Sequence, residues 1–312
     1  MFKEILLNSR LISLLVAFSN CSVGCALGFY YGHFTCSTFV IALSIIFAGI
    51  GIQALCNYSL DYSRAYRKHR KEKNEGIVSP IMIGEISLTG LRKRMAIVTL
   101  LTTIFGGIAI YLSMGSNIQT LSWFIFICVI CVLLTLVFSF TTKTIYDGIS
   151  AHTIFFVFAM SSIVGSQLMI VCSSKYVTDI YPDTYFLGFS TALSSLMILF
   201  VSEMRYYKPE KAALKKSFTK LLKYEISTVY LIGVFVASLF FSVLACTTSH
   251  RAVEAILIII GYLPMISLLY NILKYKNKTN KLKLRFNLLM LCCCLIDFIW
   301  VLILIVDYWL YL

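Results

Sequence analysis

The chain has 312 residues, of which 59% are hydrophobic and only 13% are charged. This composition excludes an ordinary soluble domain and is typical of a polytopic membrane protein, whose solvent is the lipid bilayer. A formal net charge of +13 would suit a nucleic-acid partner, but the basic residues lie in short segments between apolar runs. We therefore interpret them as a topology signal and expect no nucleic acid.

Nine apolar runs, each near the roughly 20 residues needed to cross a bilayer, follow a short basic N-terminus. They occupy about 11–31, 36–60, 95–113, 121–141, 146–173, 184–204, 226–247, 252–273 and 286–310. The first run is too long for a signal-peptide core and no small-residue cleavage site follows it, so we expect it to be retained. The sequence predicts an all-α, multi-pass integral membrane protein with nine transmembrane helices.

The distribution of Lys and Arg predicts the orientation, because basic residues accumulate on the cytoplasmic side. With nine spans, 25 of the 27 fall on one side, including nine in the 61–94 loop, seven in 205–223 and six in 274–285. Only Lys175 and Arg251 remain for the other side. This predicts a cytoplasmic N-terminus, a C-terminus outside the cell membrane, and large cytoplasmic loops after helices two and six.

Most of the eleven cysteines lie inside apolar runs, including Cys21, Cys25, Cys172, Cys246 and the Cys292–Cys294 run. The pairs Cys21-x-x-x-Cys25 and Cys128-x-x-Cys131 have no partnering His and no second pair nearby. Cysteines in such surroundings behave as small packing residues. We therefore expect unpaired thiols buried in the bilayer.

Polar side chains gather where the second apolar run ends. Gln53, Asn57 and Asp61 are spaced i, i+4, i+8, so a helix would place two amides and a carboxylate on one face at the membrane boundary. A simple alternative is that Asn57 and Asp61 only solvate a helix end. Ionisable residues at membrane depth are more often functional, and a lone carboxylate there favours a cation.

The stretch Asn57-x-x-x-Asp61-Tyr62-x-Arg64 resembles the first aspartate-rich motif of the UbiA superfamily of intramembrane prenyltransferases. It is most similar to the branch that acts on 1,4-dihydroxy-2-naphthoate in menaquinone synthesis, whose motif runs N-x-x-x-D-[YF]-x-[KR]-G-x-D. Ala65 stands where that family has Gly, and Arg67 stands where it has a second Asp.

The sixth run ends in a stretch that corresponds to the second family motif, roughly N-N-x-R-D-x-x-x-D-K-x-A-G. Arg205 and Lys211 match it. Ser202 and Glu203 replace the two amides, Tyr206 replaces the first aspartate, and Glu210 stands at the second. Glu203 and Glu210 are spaced i, i+7 and would share a helix face. Their alternative role is plain surface ion pairing with neighbouring cations.

The resemblance implies a single domain over 1–312, with helices around a central cavity that loops at about 61–94 and 205–225 cap. It implies transfer of a prenyl group from a polyprenyl diphosphate to an aromatic acceptor of the quinone type. Asn57 and Asp61 would be catalytic. Mg²⁺ would be held by Asp61, Glu203 and Glu210, and the diphosphate would be bound by Arg64, Arg67, Arg205, Lys208 and Lys211.

Two other functions stay open. The replaced aspartates favour a noncatalytic relative that binds a prenyl lipid or a partner protein. A small transporter would show helices interrupted by Gly or Pro in two corresponding halves. The four prolines of this sequence give the transporter little support. His152, isolated in its span, receives no role, and Asp297 has no partner visible in the sequence.

Overall fold

The computed structural model describes residues 9–70, 88–114, 147–175, 180–205, 224–249, 251–275 and 279–311, with further helical residues at 121, 122, 125 and 129. Eight long helices make up these ranges. They are α1 (Ser9–Tyr31), α2 (Cys36–Arg70), α3 (Leu88–Met114), α4 (Asp147–Lys175), α5 (Pro182–Arg205), α6 (Tyr224–Thr248), α7 (Ala252–Lys274) and α8 (Thr279–Tyr311).

The predicted all-α, polytopic membrane fold is confirmed. Each of the eight helices contains an apolar stretch of 20 to 30 residues, long enough to cross a bilayer. The helices extend beyond the apolar runs that predicted them: α2 continues to Arg70, α3 begins at Leu88 and α8 begins at Thr279. Lys, Arg and Leu are good helix formers, so a helix can leave the membrane without ending.

Contacts between helices fix their directions. α1 and α4 run parallel, because Gly24 faces Ile163 and Gly32 faces Ser174, whereas α2 and α3 run antiparallel. Met114 and Asp147 therefore lie at opposite ends of the bundle. The predicted fourth span, 121–141, falls between these two residues in the sequence and lies mostly outside the described residues.

We call the end of the bundle where α2 and α5 finish the motif end, and the opposite end the far end. The first described residues of α1 lie at the motif end, whereas α8 finishes at the far end, where the Phe34 N–H donates to Tyr308 Oη at 3.3 Å. The first and last described residues thus lie at opposite ends of the bundle. Which side faces the cytoplasm stays a prediction.

α1 is the central helix of the bundle and contacts α2, α4, α5 and α8. Its Gly24, Gly28 and Gly32 form a stripe against α4. A Cβ atom added at Gly28 would lie 2.7 Å from Ile170 Cβ, closer than side chains approach one another. Small residues at this spacing let two membrane helices pack backbone to backbone.

Hydroxyl groups join α5, α6 and α7 in the interior. Ser190 Oγ lies 2.8 Å from Ser242 Oγ and 3.1 Å from Tyr262 Oη, and Ser238 Oγ lies 2.9 Å from Tyr262 Oη. All four side chains are buried. Interhelical hydrogen bonds of this kind satisfy polar groups that lipid cannot solvate.

Asp297 has partners that the sequence did not reveal. Ser19 Oγ donates to Asp297 Oδ2 at 2.7 Å, and Asn20 Nδ2 lies 3.0 Å from the same oxygen in the amide orientation that satisfies both of its atoms. The carboxylate of α8 is therefore held by two side chains of α1. This contact supports a packing role for Asp297.

The nine described cysteines are free thiols, as predicted. Cys21, Cys25, Cys172, Cys246, Cys293 and Cys294 are buried, whereas Cys56 and Cys292 are partly buried. Cys36 is exposed, because it begins α2 at the far end rather than lying within the packed bundle. Cys128 and Cys131 lie outside the described residues.

Candidate functional site

The first motif lies on the last membrane turns of α2. Because α2 is continuous from Cys36 to Arg70, Gln53, Asn57 and Asp61 do share one helix face, as the spacing predicted. Asn57 Nδ2 donates to Ser13 Oγ of α1 at 3.0 Å. The side chains of Asp61, Arg64 and Arg67 lie outside the described part, although the backbone places all three on α2.

Tyr62, the residue after Asp61, connects α2 to α3. Its hydroxyl accepts hydrogen bonds from Arg92 Nη2 at 2.6 Å and Arg92 Nε at 3.1 Å, and the guanidinium carbon lies 5.3 Å from the ring centroid. Tyr62, the aromatic residue of the motif, therefore anchors the start of α3 beside the motif. This contact limits how far the end of α2 can separate from α3.

The second motif begins at the end of α5, where Glu203 has an unexpected neighbour. His152 Nδ1 of α4 lies 3.9 Å from Glu203 Oε1, with side-chain exposures of 7% and 15%. The imidazole contacts Phe200 and Tyr230 by ring edges, at centroid distances of 6.3 and 6.1 Å. Glu203 is therefore part of a half-enclosed cluster of α4, α5 and α6, rather than a solvated surface ion pair.

The described residues of the two motifs lie at the same end of the bundle and are connected through α1 and α4, each of which packs against both α2 and α5. Arg205 is the last residue of α5, and its side chain lies outside the described part. Lys208, Glu210 and Lys211 lie wholly outside the described residues. The structure thus brings the motif helices to one end. The metal and diphosphate assignments of individual side chains stay predictions.

A second polar cluster lies at the far end, around Arg251, which the sequence suggested only as an outside loop charge. Arg251 Nε donates to Asp307 Oδ2 at 2.5 Å, and its Nη1 lies 3.7 Å from Asp183 Oδ2. Arg251, Asp183 and Asp307 are only 4%, 3% and 5% exposed. The guanidinium also stacks 4.3 Å above the ring of Tyr30.

The carboxylate of Asp183 is almost fully satisfied. Its Oδ2 accepts from Tyr31 Oη at 2.5 Å and Ser249 Oγ at 2.9 Å, and its Oδ1 accepts from the Thr184 N–H at 2.9 Å. Burial lowers the pKa of the Arg251 guanidinium, but Tyr30, Asp307 and Asp183 raise it by more, so that its pKa lies above the usual value. The cluster is a charged network that joins α1, α5 and α8 through the α6–α7 turn.

Sequence reasoning missed both His152 and this network. His152 and Glu203 are 51 positions apart, and their only shared signal is that both lie near the motif end of a span. The far-end network left a clearer signal. The signal is the position of Asp183, Arg251 and Asp307, which all fall at span boundaries on the same side of the membrane. The count of Lys and Arg leaves that side nearly uncharged, so charged residues there are conspicuous.

Comparison with known proteins gives a nearly full-length structural match. No protein-family model matches the sequence, and no curated protein does. A solved structure of a digeranylgeranylglyceryl phosphate synthase in membranes matches 94% of this chain and 98% of its own, with a TM-score of 0.57 and 16% sequence identity. The chain therefore shares the fold of that membrane synthase along nearly its whole length.

Proposed function

We propose that this protein is an intramembrane prenyltransferase of the UbiA type. The observation that carries the proposal is the end-to-end fold match to the digeranylgeranylglyceryl phosphate synthase, which is itself a prenyltransferase of that type. The resemblance of the motifs around Asp61 and Arg205 is independent of that match. Both motifs begin on helices that end on the same side of the bundle.

In the proposed reaction the bond between the allylic carbon and the diphosphate oxygen breaks, and the electron pair leaves with the diphosphate. Arg64, Arg67, Arg205, Lys208 and Lys211 would bind the leaving group, since guanidinium forks match phosphate oxygens and positive charge stabilises the departing anion. The acceptor carbon then attacks the allylic cation and loses a proton. The prenyl tail would lie among the apolar helices, in the hydrocarbon layer.

Mg²⁺ is the proposed cofactor, and Asp61, Glu203 and Glu210 would hold it. Glu203 is the member of this set whose carboxylate the structure describes, and it lies near the motif end of α5 with 15% of its side chain exposed. A carboxylate oxygen is a ligand that Mg²⁺ prefers. When bound, Mg²⁺ would neutralise charge on the diphosphate. Asn57, fixed by Ser13, would hold the end of α2 in position for Asp61.

We further propose an aromatic acceptor of the quinone type, on the strength of the first motif alone. A second candidate function is a noncatalytic relative that binds a prenyl lipid or a partner protein. Arg67 and Tyr206, which replace acidic motif residues, favour it.

The test is transfer of a labelled prenyl group in membranes that express either the wild type or Asp61→Asn. Donors would range from geranyl diphosphate to longer diphosphates, and acceptors would include naphthoates, benzoates, quinols and glyceryl phosphates, each with and without Mg²⁺. Asp61→Asn keeps size and polarity but removes the charge, so the rate should fall on the order of a hundredfold or more.

Each result of this assay decides between the candidates. Transfer to a naphthoate or quinol supports the aromatic acceptor, whereas transfer only to a glyceryl phosphate keeps the reaction and replaces the acceptor class. An active wild type with an equally active Asp61→Asn would remove Asp61 from the site. A wild type that binds prenyl diphosphate but transfers nothing across the panel would establish the noncatalytic candidate.

A further inference from the structure

Three cations converge on one tyrosine where α7 turns into α8. The Arg285 guanidinium carbon lies 4.3 Å from the ring centroid of Tyr275, Lys281 Nζ lies 4.7 Å from it and Lys274 Nζ lies 5.8 Å from it. Arg285 Nη1 also donates to the Lys281 carbonyl at 2.6 Å, which fixes the guanidinium. We refer to Lys274, Tyr275, Lys281 and Arg285 as the Tyr275 cluster.

No acidic side chain that the structure describes pairs with these cations. The sequence from 255 to 296 contains no Asp or Glu, although it contains six basic residues. Within the described ranges, no carboxylate oxygen lies within 4.0 Å of a charged nitrogen of the cluster. Lys281 and Arg285 share one ring, so their charges are separated by no more than about the Debye length at 0.1 M salt, about 10 Å. They repel each other without a counter-ion.

The helix dipole accounts for only one of the three cations. Lys274 lies in the last turn of α7, where the partial negative charge of a helix C-terminus favours a cation. Lys281 and Arg285 lie near the start of α8, whose first turn contains no acidic residue and where the partial charge is positive. The contact with the π face of Tyr275 attracts these two cations but does not remove their mutual repulsion. An anion would.

The position of the cluster identifies the source of the anion. The apolar span of α7 ends at Lys274 and that of α8 begins at Lys281, so the cluster lies at the depth of the lipid headgroups. Lys274 and Lys281 are exposed, Tyr275 and Arg285 partly so. Tyrosine is common at this depth, since its ring is apolar and its hydroxyl is polar. The groups of opposite charge that a bilayer offers there are lipid phosphates.

We propose that the Tyr275 cluster binds the phosphate of an anionic membrane phospholipid. Arg285 and Lys281 contact the phosphate oxygens, and Lys274 completes the site from α7. The ring of Tyr275 holds the three cations together. The site is independent of the prenyl transfer proposed above. It requires only that the hairpin between α7 and α8 lies at a membrane surface that contains anionic lipid.

The experiment compares two variants of the full chain that lose the same charge. Lys281→Gln with Arg285→Gln removes one Lys and one Arg from the cluster. Lys93→Gln with Arg94→Gln removes one Lys and one Arg from exposed positions of α3, at the same end of the bundle. Each protein is purified in neutral detergent and mixed with phosphatidylglycerol or phosphatidylcholine. Native mass spectrometry counts the lipids retained, and a thermal scan gives the unfolding midpoint.

We expect the wild type and the α3 variant to retain phosphatidylglycerol about tenfold more than phosphatidylcholine, with a higher unfolding midpoint in phosphatidylglycerol. The cluster variant should lose this preference while keeping its midpoint in phosphatidylcholine. A conservative Lys281→Arg variant should keep the preference, which separates charge from folding. Equal loss in both double variants would overturn the site in favour of general surface charge. Inorganic pyrophosphate that displaces the lipid from the wild type, but does not bind the cluster variant, would overturn it in favour of a diphosphate site.

Discussion

The two ends of the bundle handle charge in opposite ways. At the far end, Arg251, Asp183 and Asp307 are more than 90% buried, and each has at least one charged or hydrogen-bonding partner. At the motif end, Lys93, Arg94, Lys281 and Lys283 are exposed, and basic residues outnumber acidic ones. Charges that already contact one another have little affinity left for a ligand. An unbalanced set of cations retains its affinity for an anionic ligand.

This difference separates structural from ligand-binding charge more reliably than burial alone. The far-end network contains the more deeply buried ions, which a survey of intramembrane charge would rank first as a functional site. Its bonds run between α1, α5, α8 and the α6–α7 turn, so it stabilises the helix ends. Among the described residues of the motif end, Asn57–Ser13 and Tyr62–Arg92 are such cross-links, whereas Lys93, Arg94, Lys281 and Lys283 are exposed.

The largest expected effect is from the far end. Replacing Arg251 with Met removes the cation and leaves Asp183 and Asp307 buried together, so the variant should lose about 3–5 kcal/mol of stability. SDS-induced unfolding of the purified protein would measure this. Prenyl transfer per folded molecule should not change. The triple variant that also carries Asp183→Asn and Asp307→Asn should recover most of the loss, and a failure to recover would show that Arg251 acts by packing.

The second prediction concerns the helix pair that connects both ends. Gly28 lies against Ile170 with no room for a Cβ atom, so Gly28→Leu should separate α1 from α4 and cost about 1–3 kcal/mol. Gly106 of α3 has open space beside its Cα, which makes Gly106→Leu the matched control with little effect. If Gly28→Leu lowers activity more than stability, the α1–α4 contact also positions the motif helices. Equal unfolding curves for the two variants would contradict the close packing.

The sequence was sufficient to predict the membrane class, most of the spans and the helix face that Gln53, Asn57 and Asp61 share. All of these depend on hydrophobicity and on a 3.6-residue period. It could not give the partners of Asp297 or of Glu203. Those contacts, Ser19 with Asp297 and His152 with Glu203, join residues 278 and 51 positions apart, and no local pattern encodes which helices become neighbours. Helix ends were also misjudged, since Arg70 and Thr279 lie in helices rather than loops.

The third prediction concerns Glu203. Glu203→Gln keeps the shape of the side chain and removes its charge, so the Mg²⁺ concentration for half-maximal prenyl transfer should rise about tenfold. His152→Asn should raise it less, because it changes a neighbour of the carboxylate and leaves the carboxylate in place. Measuring the rate against Mg²⁺ concentration distinguishes this from a folding defect, which lowers the maximum rate alone. An unchanged Mg²⁺ requirement would leave Asp61 and Glu210 as the proposed ligands.

The smallest effect should come from the hydroxyl network of α5, α6 and α7. Tyr262→Phe removes one hydroxyl from a set whose other members still bond each other, since Ser190 lies 2.8 Å from Ser242 and Ser194 lies 2.9 Å from Ser238. Single interhelical hydrogen bonds in membrane proteins average about 0.6 kcal/mol, and the loss should be of that size. Tyr270→Phe, on an exposed face of α7, is the control and should have no effect. Because Tyr262 lies away from both ends, neither the Mg²⁺ requirement nor lipid retention should change, and a change in either would mean that α7 transmits strain between the ends.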